Sequence, residues 1–149
     1  MLLFLILCAY SCKKEKRQND ISIQKPQLSI VQKHDAVVQL QLETKKELGV
    51  WEEYTILHDF LKQYAVISAN EALTNALELA RLTKVLKDSI RPEVLVNPAF
   101  KTRVNVLENE ALRLKDMTYI SAITANEVNN QVSKILAAFS ATNSKINTV

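Results

Sequence analysis

The stretch PAFKTRVNVLENEALRLKDMTYISAITANEVNNQVSKILAAFSATNSKI, residues 98–146, decides the fold class. Phe100, Val104, Leu107, Ala111, Leu114, Thr118, Ser121, Ala125, Val128, Val132, Ile135, Phe139, Thr142 and Ile146 follow one another in alternating steps of four and three. This is the a/d spacing that keeps one side of a helix apolar and lets it pack along its length. Asn97 stands ready as N-cap, with Pro98 at the first helical position, where a missing N–H costs nothing. Thr118 and Ser121 are the polar weak point of the stripe.

Upstream, no Gly or Pro occurs between Val50 and Ile90. Tyr54, Leu57, Leu61 and Tyr64, then Leu73, Leu77 and Ala80, fall at helical spacing. Ala65, Ala69, Ala72, Ala76 and Ala80 do the same, and small side chains in a row allow a neighbouring helix to approach closely. Pro92 and Pro98 interrupt the pattern, and Gly49 is the only glycine of the 149 residues. The expectation is therefore an all-α protein of long amphipathic antiparallel helices, as a helical hairpin or a three- or four-helix bundle.

Two pentapeptides echo one another: Ile67-Ser68-Ala69-Asn70-Glu71 and Ile123-Thr124-Ala125-Asn126-Glu127. Both are capping-box sequences, in which a hydroxyl accepts from the third amide and the Glu reaches back. Each can start a helix. Neither offers Gly, Pro or a polar loop for a reversal, so long helices kinked near Ser68 and Thr124 are the expected arrangement, with a broken, four-helix arrangement as the alternative. Residues 30–48 give mixed signals. Val38, Leu40 and Leu42 alternate as in a strand, whereas Glu43–Leu48 favour helix, and a lone strand would have nothing to pair with. A helix ending near Gly49 is the expected outcome.

The N-terminus carries a different message. Residues 2–10, LLFLILCAY, are uniformly apolar, too short to span a bilayer but of the length of a signal-peptide core. Ser11-Cys12 follows, and then a burst of charge from Lys13. A small residue, then Cys, then charge, directly after the apolar run, resembles the lipobox of bacterial lipoproteins, and Ser-Cys-Lys-Lys-Glu is similar to the mature start of many lipoproteins of the Bacteroidetes. The resemblance covers about a dozen residues. It implies a signal peptide over residues 1–11, a diacylglycerol on the thiol of Cys12 with cleavage before it, and lipid anchoring in the cell envelope, the outer membrane favoured over the inner. Cys8 is the poorer acceptor because bulky Leu7 precedes it. A buried N-terminal helix is disfavoured by the polar residues that follow. Residues 12–29 then form the lipidated Cys and a flexible tether, and residues 30–149 the helical domain.

The remaining residues bear on function mainly by exclusion. The net charge of +3 is accounted for by Lys13, Lys14, Lys16 and Arg17 against Glu15, so the body is neutral and lacks the basic stripe of a nucleic-acid binder. With one glycine, neither the phosphate-binding glycine loops nor a G-x-S-x-G elbow can be built. His34 and His58 each neighbour an Asp, but adjacent helix residues diverge by about 100°, so neither pair is expected to be pre-formed. Both histidines read as hydrogen-bonded or solvated helix residues. Glu-x-x-His and zincin spacings are absent, leaving only an improvised metal set such as Glu52, Glu53 and His58. Glu108, Glu110 and Arg113 read as the polar face opposite the stripe, and Trp51, Tyr54 and Phe60 as core. No catalytic residue, cofactor or metal site is expected. The chain reads as a non-enzymatic helical interaction module, anchored to a membrane by lipid and partnered by another protein or by itself. A periplasmic metal- or stress-sensing helical protein is the alternative.

Overall fold

The structure, a computed structural model, describes residues 27–89 and 92–148. The expected signal peptide and Cys12, and all but the end of the tether, lie outside the described residues. A short strand, β1 (Val31–Lys33), is followed by an extended stretch and then α1 (Leu42–Leu48) and α2 (Glu52–Lys62). A 3₁₀ turn (Gln63–Ala65) leads into β2 (Val66–Ser68), α3 (Ala69–Thr74) and α4 (Ala76–Asp88). A second 3₁₀ turn (Glu93–Leu95) precedes the two long helices, α5 (Pro98–Met117) and α6 (Ala125–Ile146). The all-α class holds. α5 packs along α6 on one side and α4 on the other, α2 lies against α4, and α3 touches both long helices.

The apolar stripe is the core. Leu107, Ala111 and Leu114 of α5 and Val128, Val132 and Ile135 of α6 are all fully buried against one another's helices. Asn97 caps α5 as its sequence implies, its side-chain oxygen accepting from the Phe100 amide at 2.9 Å. Ala69, Ala72, Ala76 and Ala80 are buried as the alanine row requires. Leu77 is the departure, 69% exposed, because α4 restarts at Ala76 and turns Leu79, Leu82 and Leu86 inward instead.

The long helices are broken rather than kinked at both pentapeptides. Thr124 accepts from the Glu127 amide at 3.3 Å while Glu127 accepts from the Thr124 amide at 2.9 Å, and Ser68 and Glu71 form the same box at 3.3 and 3.0 Å. Each box satisfies amides that would otherwise be orphaned at a helix start. Between α5 and α6 the backbone winds down through 3₁₀-type bonds, Tyr119 to Asp116 and Ile120 to Met117, both 3.1 Å. No residue there has positive φ, so the reversal needs no glycine. Thr118 and Ser121, the weak point of the stripe, are exposed in this turn.

Residues 30–48 also differ from expectation. β1 finds a partner after all: it pairs antiparallel with β2, Val31 opposite Ser68 and Lys33 opposite Val66. Val38 to Gln41 is neither helix nor sheet but an extended strap in which Leu40 alone points into the core. Only Leu42–Leu48 is helical, and it stops at Gly49, whose φ of 62° favours glycine.

Candidate functional site

The strap is held to the surface of α6 by a row of hydrogen bonds. It runs parallel to α6, its backbone bound by one side of that helix. The Val38 amide donates to Ser140 Oγ (3.2 Å), the Val38 carbonyl accepts from Asn143 Nδ2 (2.7 Å), the Gln39 carbonyl accepts from Asn147 Nδ2 (2.9 Å), and the Gln41 amide donates to Asn147 Oδ1 (2.9 Å). An extended segment has backbone groups that no helix satisfies, and these polar side chains supply the missing partners. At the upstream end of the strap, His34 Nδ1 meets Ser133 Oγ at 3.0 Å, so this histidine is anchored to α6 from an extended segment and not from a helix.

Beneath the strap, α2 and α6 bring aromatic rings together. Tyr54 stacks on Trp51 (5.5 Å), on His58 (5.9 Å) and on Phe139 (5.9 Å), and its hydroxyl donates to Asn143 Oδ1 at 3.0 Å. Trp51 and Tyr54 are buried as expected, and Phe60 is half-buried against Tyr64. Burial in this apolar setting pushes the Tyr54 phenol well above its ordinary pKa, against the smaller lowering by Asn143. It remains a neutral donor at all physiological pH.

Two clefts open on either side of the strap and share His58. One, of about 220 Å³, is lined by Leu40, Lys45, Leu48, Trp51 and Tyr54 among others. The second, of about 200 Å³, lies between Val37, Gln39, Leu61, Lys62 and Phe139. His58 itself is partly exposed, with Nδ1 3.3 Å from Asp59 Oδ1 and Nε2 3.5 Å from Gln39 Oε1. The pair that residue directions argued against is thus formed, because both side chains curl towards each other at the surface. Asp59 is drawn also to Lys62 at 2.7 Å, and that bond, with a smaller contribution from His58, holds its carboxyl below the usual range. Two hydroxyls line the first cleft beside His58: that of Thr55 donates to the Trp51 carbonyl at 3.0 Å, and that of Tyr54 to Asn143. The surroundings suit a flat apolar or amphipathic group with one polar edge. They do not assemble a nucleophile with its base.

Other sequence candidates fall elsewhere. Glu52 and Glu53 lie on the first turn of α2, and no group of three or more His, Cys, Asp and Glu among the described residues is placed to hold a metal. Glu108 and Glu110 are not on an open polar face: Glu108 receives Lys87 Nζ at 2.7 Å across the α4–α5 seam, and Glu110 receives Gln131 Nε2 at 2.8 Å from α6. Arg113 does reach Glu110, at 3.5 Å. Periodicity gives no sign of the strap on its polar ladder, although Ser133 and Ser140 of α6 and Asn147, which caps its C-terminus, recur every seven residues.

His34 is expected to make the fold sensitive to acid. Its Nε2 is buried without a partner among the described residues, and burial lowers its pKa from 6.5, more than Asp35 raises it. A base whose folded pKa is depressed binds more protons when unfolded, so its contribution is fully present above pH 6.5 and is lost as pH falls towards the folded value. Urea titrations should show stability falling below pH 6.5, with a shallower fall in His34→Asn. An unchanged slope in that variant would assign the acid sensitivity to other groups.

Compared with protein families, curated proteins and solved structures, the chain matches none.

Proposed function

We propose that this chain is a bacterial lipoprotein, anchored to the outer membrane through Cys12 and acting as a non-enzymatic helical interaction module. One observation carries the anchor: the apolar run 2–10 ends in Ser11-Cys12 and is followed at once by Lys13 and Lys14. With Cys8 removed in the signal peptide, Cys12 is the sole thiol of the mature chain, and its lipidation leaves no disulfide to form. No helix among the described residues is long and apolar enough to cross a membrane. The interaction role rests on the aromatic clefts beside the strap, which present apolar surface around His58.

Mass spectrometry of the tagged full chain from membranes should find residue 12 as the N-terminus, carrying acyl chains. Cys12→Ala should lose both the acyl mass and the membrane fraction. In-cell crosslinking should then capture a defined envelope protein with the native form alone. Equal membrane residence of the two forms, without an acyl adduct, overturns the anchor; capture of the chain only by itself assigns the module to self-association.

A further inference from the structure

The described chain begins at one end of the bundle, and that end carries an unusual turn. The strap fixes the direction: His34 lies at Ser133, Val38 at Ser140 and Gln41 at Asn147, so the chain before His34 heads towards the start of α6. β1 and β2 continue there, with Ser68 opening α3, which packs on α5 and α6. The α5–α6 turn, residues 118–124, closes the same end. α5 is 20 residues long, so this end is separated from Val96 and Asn97 by about 30 Å.

Residues 117–126, Met-Thr-Tyr-Ile-Ser-Ala-Ile-Thr-Ala-Asn, contain no charge. A solvated turn in a chain with 23% charged residues ordinarily carries some. Instead Tyr119 is 80% and Ile120 51% exposed, and Ile30 and Val31, upstream of His34 where the chain heads towards the start of α6, are exposed too. Of the two flanking carboxylates, Asp116 is exposed at the end of α5, and that of Glu127 is folded onto Thr124 and so held at the helix start. Tyrosine with an aliphatic neighbour suits the boundary between headgroups and acyl chains, where the ring is buried and the hydroxyl stays wet, and a charge would be costly.

We propose that this turn, with Tyr119 and Ile120 at its apex, docks on the phospholipid surface in which Cys12 is anchored; the inference rests on the lipoprotein reading. Fourteen residues lie between Cys12 and Gln27, so the fifteen steps from one to the other reach about 50 Å at most, and the chain enters the body on the side of the turn. The opposite end also exposes apolar residues, Leu42, Val50, Val94 and Val96, but it lies about a body length from the point where the tether joins. Lys13, Lys14, Lys16 and Arg17 sit beside Cys12 and favour an anionic surface. The docked body presents the opposite end, with Trp51 and the larger cleft, away from the membrane.

The test uses the full lipidated chain in phosphatidylethanolamine–phosphatidylglycerol vesicles, with one fluorophore on Ser121→Cys or on Val96→Cys and spin-labelled lipids as quencher. Quenching several-fold stronger at residue 121 than at 96, and reduced to the level of 96 by adding Tyr119→Ser and Ile120→Ser, is the expected result. Equal quenching at both sites, or stronger quenching at 96, overturns the docking while leaving the anchor intact. Protection at 121 that rises with protein density and comes with 121-to-121 crosslinks assigns the turn to a second copy. A chain whose mass shows no acyl group at Cys12 removes the anchor itself, and with it this inference.

Discussion

Phe139→Ala lowers the stability of the folded chain by about 3–5 kcal/mol in urea denaturation, the range for deleting a buried aromatic ring. Phe139 is 1% exposed and lies where α6 meets α2, with its ring 5.9 Å from Tyr54 and 6.1 Å from His58. Truncation removes the transfer free energy of the ring and leaves a void that the surrounding helices close only in part. The void opens into the cleft shared with His58, so the substitution also alters the candidate binding surface. Phe139→Leu restores most of the volume and should recover more than half of the loss. A loss below about 1 kcal/mol for the alanine variant, the cost of an unremarkable substitution, would mean that α2 is not held against α6 by this residue.

Asn143→Ala is expected to cost about 1–3 kcal/mol, the cost of leaving one buried group, the Tyr54 hydroxyl, without its acceptor, with a smaller loss at the exposed Val38, whose carbonyl water can reach. The Asn143 side chain is fully buried, accepts from the Tyr54 hydroxyl and donates to the Val38 carbonyl. The Val38 carbonyl belongs to the strap, so the same change should loosen residues 38–41 and speed exchange of the Gln41 amide, which the neighbouring Asn147 holds. Tyr54→Phe separates the two contributions. In the Asn143→Ala background it removes the orphaned phenol, and the double variant should be less destabilised than the sum of the singles. Strict additivity would show that the phenol finds water or another acceptor once Asn143 is gone, and that the strap contact alone carries the energy.

The helix boundaries show what could be read locally. Asn97 before Pro98, the two capping boxes and Gly49 each act through bonds or dihedrals confined to a few neighbouring residues, so the residues that make the signal are adjacent in the chain. The expectation that the long helices would continue through Ser68 and Thr124 failed because it demanded glycine or a polar loop for reversal. A 3₁₀ unwinding at Thr118–Ile120 followed by a box at Thr124 turns the chain with ordinary residues. The capping box was the stronger signal.

Composition, periodicity and capping signals were enough for the helical class, the buried stripe of α5 and α6, and the starts of α3, α5 and α6, because these depend on residues close together within one element. Tertiary structure alone decided the strap, the β1–β2 pair and the placing of His34 and His58. Their partners are remote: Ser133 for His34, Asn143 for Val38, and Gln39 for His58. An extended backbone must find acceptors and donors somewhere, but which helix provides them is settled only when the helices pack and bring residues as far as 108 positions apart into hydrogen-bonding distance.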